Sequence, residues 1–173
     1  MLEMANQISE IYLHPGEAYL AREPVVIRTI LGSCVGVTFW NARLGIGALT
    51  HSQLPRCPIS VPALKPAIGR RYVDFSIRDI ARQLDVLGAL RSEVQVKLFG
   101  GADVLLISDA AALKPTVGKM NCEVAVEVLR TEGFHVTASS LGGNSGVNLR
   151  FDTRTGEVLL RRLNGAQAIG RAL

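Results

Sequence analysis

The chain has 173 residues, which is long enough to bury a substantial apolar core. We expect one domain over 1–173, with its core at about 11–163 and a short tail at 164–173. The formal net charge of +4 includes no basic stripe with interleaved aromatic residues, so we expect no nucleic-acid partner. No apolar run approaches the roughly 18 residues of a membrane span, and the N-terminus lacks a basic region followed by an apolar one. We therefore expect neither membrane insertion nor a signal peptide.

The three cysteines of the chain are Cys34, Cys57 and Cys122. Their odd number, their wide spacing and the absence of a Cys-x-x-Cys pair argue against a disulfide framework and against a zinc or redox motif. Free thiols of this kind are typical of a reducing compartment. We therefore expect a soluble, cytoplasmic protein.

The first third of the chain is predicted to be rich in strands. Short runs of β-branched and aromatic residues between turn residues predict strands at 11–13, 25–29, 35–40 and 45–51. Four prolines then predict an irregular loop over 53–66.

The rest of the chain alternates predicted helices and strands. Apolar residues spaced by three and four predict a helix over 72–87 that ends at Gly88. A second helix is predicted over 121–131, with Asn121 as its N-cap and Gly133 as its stop. Strands are predicted at 94–99, 134–139, 147–151 and 158–163, the last two as a hairpin, whereas 102–107 stays undecided and 108–118 is predicted as a loop. This order favours a layered α/β (α+β) domain with much antiparallel pairing over a doubly wound parallel sheet.

The chemistry of the chain is predicted to lie at Cys34 and His51. Because 35–40 and 45–51 are expected to be strands joined by a short turn, the start of one can lie beside the end of the other. A thiol beside an imidazole is the minimum apparatus for covalent acyl transfer: the sulfur attacks an amide carbonyl, and the imidazole takes the thiol proton and returns it to the leaving nitrogen. When the substrate is a side-chain amide, the net reaction is deamidation. We expect Cys34 to be partly exposed, with its pKa lowered by His51.

Two further roles are predicted around this pair. Backbone N–H groups of the tight turn at Gly32, Ser33 and Cys34 are expected to bind the oxyanion. A third group should orient the imidazole, and Thr29 lies nearby in the sequence.

The same residues are compatible with other interpretations. A lone cysteine in an apolar strand is more often a small buried hydrophobe, and a histidine at a strand end is more often structural. The run GSCVG fits the nucleophile elbow of α/β-hydrolases, but a helix must follow that elbow and VGVTFW predicts a strand. A metal site formed by Cys34, His51 and Cys57 lacks any known ligand spacing, so we predict no metal and no cofactor.

Six runs, in order along the chain, resemble the CheD family of bacterial chemoreceptor glutamine deamidases. They are LGSCVGV, LTHSQLP, RYVDFSI, KLFGGADV, VGKMNCEVAVEVL and LGGNSGVNLRFDTRTGEVLLRRL. The resemblance implies a cysteine-hydrolase fold like that of the cytotoxic necrotizing factor catalytic domain, with a β-sandwich core and flanking helices. It implies that Cys34 is the nucleophile, that His51 is base and acid, and that an upstream threonine completes the site.

The threonine does not align directly with the pattern of the family, the segment HSQLP is less apolar than is usual in it, and the proline-rich loop 56–70 is particular to this chain. Some family members carry the threonine six residues before the cysteine, where this chain has Arg28, whereas Thr29 is five residues before it. A shift of one residue turns a strand side chain to the opposite face. Either the strand is bulged here or Thr29 does not orient the imidazole.

The resemblance implies a function as well. Family members convert specific glutamines of methyl-accepting chemotaxis receptors to glutamates through a cysteine thioester, and some also remove receptor methyl esters. The implied partners are chemoreceptor cytoplasmic domains and, in organisms that have it, the phosphatase CheC. The alternatives are a non-catalytic chemotaxis adaptor that binds receptors or a CheC-type phosphatase, and a hydrolase of a small amide. Intact Cys34 and His51 argue against the adaptor.

Overall fold

The computed structural model describes residues 8–58, 65–103 and 115–163. Within these residues the chain forms nine strands and three α-helices. The strands are β1 Ser9–Tyr12, β2 Ala18–Ala21, β3 Val25–Leu31, β4 Val35–Asn41, β5 Ile46–Ser52, β6 Gln95–Gly100, β7 Val136–Leu141, β8 Val147–Asp152 and β9 Glu157–Arg162. The helices are α1 Pro66–Gly69, α2 Val73–Val86 and α3 Val117–Thr131.

The strands form two sheets. The four-stranded sheet has the order β1-β3-β8-β9, and the five-stranded sheet has the order β2-β5-β4-β6-β7. Most neighbouring strands pair antiparallel, whereas β1 with β3 and β6 with β7 pair parallel. The prediction of a layered α+β architecture with much antiparallel pairing is therefore confirmed.

Two apolar cores separate three layers. Ile27, Leu49 and Phe151 belong to the core between the two sheets, and Ala48 and Leu129 to the core between the five-stranded sheet and the helices. Successive side chains of β5 therefore alternate between the two cores, as the two-residue repeat of a strand requires. All seven residues of β5 are buried as a result, including His51 at its end.

The predicted strands and the first long helix are present with shifts of one or two residues at their ends. Gly88 adopts φ +75° directly after the C-cap of α2, and Gly133 adopts φ +79° after α3, which confirms both predicted stops. The short strand β2 was not predicted, and α1 begins at the end of the predicted loop, with Pro66 in its first turn. The predictions for 104–114 and for the tail 164–173 fall outside the described residues, and the predicted loop 108–118 extends two residues into α3.

The prediction that Asn121 caps the second long helix is wrong. The helix begins four residues earlier, and Thr116 is its N-cap because its Oγ1 accepts a hydrogen bond of 3.2 Å from Lys119 N. Asn121 lies inside α3 and is fully buried. No helix among the residues described here is long and apolar enough to cross a membrane.

Gly100 should be sensitive to substitution because of its backbone. It adopts φ +99°, and an added Cβ would overlap the carbonyl oxygen of Cys34. We expect Gly100→Ala to lower the free energy of unfolding by about 2–5 kcal/mol, since backbone strain and the overlap add together. Gly45→Ala is the matched control: Gly45 also has positive φ, but nothing lies within 4 Å of an added Cβ. It should cost only about 1 kcal/mol, and equal losses for the two variants in urea titration would contradict the argument.

Candidate active site

The imidazole of His51 is held between the two sheets. The main chain of His51 is fixed by the turn before β2: its N–H donates to Glu17 O at 2.9 Å, and its carbonyl accepts from Gly16 N at 2.7 Å. The residue is 1% exposed. Its side chain projects from the face of β5 that also carries Leu49, toward the four-stranded sheet.

Thr29 contacts this imidazole directly. Thr29 Oγ1 lies 2.7 Å from His51 Nδ1 and donates its own proton to Leu13 O at 2.8 Å. Because a hydroxyl has one proton, Thr29 must accept from Nδ1–H. The contact therefore selects the tautomer in which Nδ1 carries the proton and Nε2 has a free lone pair.

The strand register decides which residue of β3 reaches the histidine. β3 pairs with β8 in continuous register from Val26 to Leu31, so it has no bulge. Arg28 points outward and forms an ion pair of 3.0 Å with Glu10, whereas Thr29 is fully buried. The structure brings Thr29, not Arg28, to the imidazole in a regular strand.

The Nε2 atom of His51 has no partner. It is buried, and none of the described residues forms a hydrogen bond with it. A buried acceptor without a partner costs about 1–3 kcal/mol of stability. The site therefore contains an available proton acceptor at a buried position where stability alone would favour a hydrogen-bonded nitrogen.

Cys34 lies in the loop that carries the chain from one sheet to the other. The loop 32–34 connects β3 of the four-stranded sheet to β4 of the five-stranded sheet. In the β4–β5 ladder Gly36 is directly opposite His51, and Cys34 lies two residues before Gly36, just outside the first pair of the ladder. Gly36 has no side chain, and the side chain of Leu31 lies over it. Half-buried Cys34 packs against the core between the sheets, which is also the side toward which His51 projects, but its sulfur forms no hydrogen bond with His51 Nε2.

All three carbonyls of this loop are bound by residues outside it. Gly32 O accepts from Ala102 N at 2.9 Å, Ser33 O from Asn121 Nδ2 at 2.9 Å, and Cys34 O from Gly101 N at 2.8 Å. In a planar trans peptide the N–H points opposite to the C=O. The N–H groups of Ser33 and Cys34 therefore point away from these anchors. Within residues 8–58, 65–103 and 115–163 the Ser33 N–H donates to no acceptor, and the Cys34 N–H interacts with its own thiol, whose pKa it lowers against the larger effect of burial.

Burial sets the protonation of the pair. It raises the pKa of the Cys34 thiol from 9.0 to about 11, and it lowers the pKa of His51 from 6.5 to about 4, although the Leu13 carbonyl opposes the second shift. The expectation that His51 lowers the pKa of Cys34 is therefore wrong. Desolvation is the largest influence on both groups, and at neutral pH both the thiol and the imidazole are uncharged.

Sequence reasoning missed two parts of the site. The Leu13 carbonyl, which receives the Thr29 proton, is a main-chain group that carries no sequence signal. Asn121 does carry a sequence signal. It precedes Val124, Ala125 and Val128 by three, four and seven residues, so its polar amide lies on the apolar face of the helix. No group of three or more His, Cys, Asp or Glu side chains suited to a metal ion occurs in the described part of the chain.

Comparison with known proteins identifies the family. The sequence profile described as CheD chemotactic sensory transduction matches residues 63–162. A protein of Geobacter sulfurreducens named probable chemoreceptor glutamine deamidase CheD 2 is 41% identical over 94% of this chain and 95% of its own length. Two relatives named probable chemoreceptor glutamine deamidase CheD are each 33% identical to this chain. The alignment with the protein of Maridesulfovibrio salexigens covers 94% of this chain and 97% of that protein. The alignment with the protein of Rhodospirillum rubrum covers 96% of this chain and 89% of that protein. The chain belongs to the CheD family, which confirms the resemblance seen in the sequence.

Among solved structures, the Bacillus licheniformis hypothetical protein YfiH aligns with a TM-score of 0.46 and 11% identity. The alignment covers 72% of this chain and 50% of that chain. Structural likeness at this level does not identify a fold.

The pKa of His51 predicts a pH dependence of stability. Between pH 6.5 and about 4 the unfolded chain binds a proton at this histidine and the folded chain does not, so the free energy of unfolding should fall as the pH is lowered through that window. The full contribution is about 3 kcal/mol. His51→Gln, which cannot titrate, should therefore show a flatter profile of chemical denaturation between pH 4 and 6.5. His135→Gln is the control, because His135 is exposed and is not among the groups that act on the pKa of His51, and it should keep the fall in stability below pH 6.5. Parallel profiles for wild type and His51→Gln would contradict the prediction.

Proposed function

We propose that this chain is a protein-glutamine deamidase that converts specific glutamines of chemoreceptors to glutamates, with Cys34 as nucleophile and His51 as base and acid. The single observation that carries the proposal is the contact of Thr29 with His51 Nδ1, which leaves the buried Nε2 as an available proton acceptor. The substrate class comes from relatives named chemoreceptor glutamine deamidases that align over almost the whole chain.

In the first half of the reaction, Cys34 Sγ attacks the carbonyl carbon of the glutamine side chain while its proton passes to His51 Nε2. The new S–C bond forms as the carbonyl π bond breaks, and the oxygen becomes an oxyanion. The N–H groups of Ser33 and Cys34 bind that oxygen, because the anchored carbonyls of the loop direct both groups away from the anchoring residues. The imidazolium formed in this step is stabilised by the hydrogen bond from Nδ1–H to Thr29.

In the second half, His51 returns the proton to the nitrogen, and the C–N bond breaks to release ammonia. The acyl group remains on Cys34 as a thioester. Water then attacks the thioester with His51 as base, the C–S bond breaks, and the product is a glutamate side chain with the thiol restored.

The uncharged resting pair suits this sequence of steps. A buried thiol with a pKa of about 11 is a weak nucleophile until a carbonyl is present to accept its electrons. Proton transfer and attack then occur together, so that no separated thiolate and imidazolium have to persist in the core.

The rival role of a non-catalytic adaptor is disfavoured by the same geometry. A protein that only binds receptors gains nothing from a buried imidazole with a selected tautomer and an unpartnered Nε2. A hydrolase of small amides shares the chemistry. The two hypotheses differ in the substrate, so an assay with a chemoreceptor cytoplasmic domain as the substrate distinguishes them.

Three finer proposals rest on the family resemblance. We propose that the fold is that of the cysteine hydrolases related to the cytotoxic necrotizing factor catalytic domain, that the protein acts in the cytoplasm, and that a CheC-type phosphatase binds it where the organism has one. The last is tested by size-exclusion chromatography of the two purified proteins, in which separate elution at micromolar concentration would contradict it.

The assignment predicts the outcome of two substitutions. Cys34→Ala should abolish conversion of a chemoreceptor cytoplasmic domain, and His51→Gln should lower kcat by roughly 10²- to 10⁴-fold because proton transfer is lost. Mass spectrometry of the receptor peptides detects each conversion as a gain of about one dalton, and ammonia release measures the rate. Cys57→Ala, which alters a thiol outside the site, is the control. Wild-type rates in Cys34→Ala, or a wild-type chain that releases no ammonia from any receptor domain, would contradict the proposal.

Thr29→Val should act on the orientation of the imidazole. The variant loses one hydrogen bond worth about 0.5–1.5 kcal/mol, which corresponds to a roughly three- to tenfold lower kcat. Thr38→Val is the matched control, because Thr38 is a buried strand threonine on the neighbouring β4. Its kcat should equal that of the wild type, and an equal loss in the two variants would remove Thr29 from the site.

A further inference from the structure

Asn121 joins the two stretches of main chain that bring Cys34 and His51 together. Its Nδ2 donates to Ser33 O at 2.9 Å and to Gln53 O at 3.0 Å. Ser33 directly precedes the nucleophile, and Gln53 directly follows β5. The two N–H groups of one amide therefore bridge the chains just beyond the last β4–β5 pair, where the ladder has ended.

The bond to Ser33 also fixes the direction of the next N–H group. Ser33 C=O and Cys34 N–H belong to one planar trans peptide and point in opposite directions. When Asn121 holds the Ser33 carbonyl, the Cys34 N–H must point away from Asn121. Given the function proposed above, we propose that Asn121 is a positioning residue that orients the Cys34 N–H for binding the oxyanion.

The chemistry of the side chain supports this role. Asn121 is fully buried, and its Oδ1 is a buried acceptor with no partner among the described residues. An amide on the apolar face of a helix, with half of its hydrogen-bonding capacity unmet, is a poor choice for stability alone. Two donors on one nitrogen at the end of a short stem match two converging carbonyls, whereas a serine has a single donor and an aspartate would repel both oxygens.

Close packing of two glycines brings the asparagine into reach. A Cβ at Gly118, in the first turn of α3, would lie 2.6 Å from Gly101 O. Gly101 in turn donates to Cys34 O at 2.8 Å. The start of α3 therefore lies directly against Gly101, which anchors the loop. Asn121 lies about one helical turn after Gly118 and binds the adjacent carbonyl of the loop, that of Ser33.

The test separates orientation of the oxyanion site from general damage. Asn121→Ala should lower kcat for deamidation of a chemoreceptor cytoplasmic domain by roughly 10²-fold, the effect of losing one oxyanion donor. Its rate of alkylation by iodoacetamide at Cys34 should stay at the wild-type value, because that displacement breaks a C–I bond and forms no oxyanion. Unchanged kcat would overturn the proposal. So would a parallel change in kcat and alkylation, since it would mean that the whole loop had moved.

Asn41→Ala is the matched control. Asn41 is also a fully buried asparagine, and its Oδ1 accepts from Leu44 N at 2.9 Å at the other end of β4. Its loss should lower the melting temperature without changing kcat or the alkylation rate. Comparable kcat losses in the two asparagine variants would overturn the proposal.

Asn121→Asp gives a second test if the alanine variant does not fold. A protonated aspartic acid keeps one donor, and an ionised one repels both carbonyls. The ratio of its kcat to that of the wild type should therefore rise as the pH is lowered from 8 to 5.5, a range that lies above the pKa of about 4 of His51 in the wild type. A ratio independent of pH would contradict the proposed role.

A third measurement needs no deamidase activity, so it distinguishes failure of this inference from failure of the proposed function. In a peptide whose glutamine amide is replaced by an aldehyde, Cys34 Sγ adds to the carbonyl carbon, the thiol proton passes to His51, and the oxygen becomes an oxyanion. The peptide should protect Cys34 from iodoacetamide. The concentration required should be at least about tenfold higher for Asn121→Ala than for wild type. Equal concentrations would overturn the positioning role whether or not the receptor is the substrate.

Discussion

The hydrogen bond between Thr29 Oγ1 and His51 Nδ1 crosses from one sheet to the other, and the chemistry of the site depends on its direction. The hydroxyl proton is committed to the Leu13 carbonyl, so the threonine can only accept from the imidazole. The lone pair of Nε2 is thereby fixed. The distance between the two strands is maintained by the apolar core between the sheets, to which Leu49 and Phe151 belong. The orientation of one buried imidazole therefore depends on the packing of both sheets.

The same burial determines how the site can react. In water a thiol and an imidazole exchange a proton readily, but in this core both charged forms are destabilised, which moves the pKa of Cys34 to about 11 and that of His51 to about 4. The protein therefore keeps an uncharged pair at rest. In the proposed mechanism, charge develops only when a substrate oxygen is present to receive it and the backbone N–H groups of the loop can bind that oxygen. A thiol controlled in this way is shielded from indiscriminate alkylation and oxidation.

The helix layer contributes to this site without supplying a reacting group. α3 approaches the loop of Cys34 closely because Gly118 lies against Gly101, and the amide of Asn121 then reaches the loop and the end of β5 together. The three layers thus meet at one point. The four-stranded sheet supplies the threonine, the five-stranded sheet supplies the histidine, and the helix layer holds the loop that connects the sheets.

The sequence by itself determined the local elements and the family. The β4–β5 hairpin, with Cys34 just before its first strand and His51 near the end of its second, could be predicted from two runs of strand-forming residues and a short turn. Gly88 and Gly133 were correct helix stops because positive φ is a local property. The tertiary structure decided the rest. Whether Thr29 or Arg28 faces the histidine depends on which face of β3 packs against the other sheet, and whether Asn121 caps a helix or bridges two chains depends on where α3 docks. The pKa values follow from burial by residues distant in sequence. Local sequence patterns encode the apolar repeat of each helix or strand and the positions of turns. The direction of a side chain, its distance from other groups and its desolvation are set only when separate elements pack together.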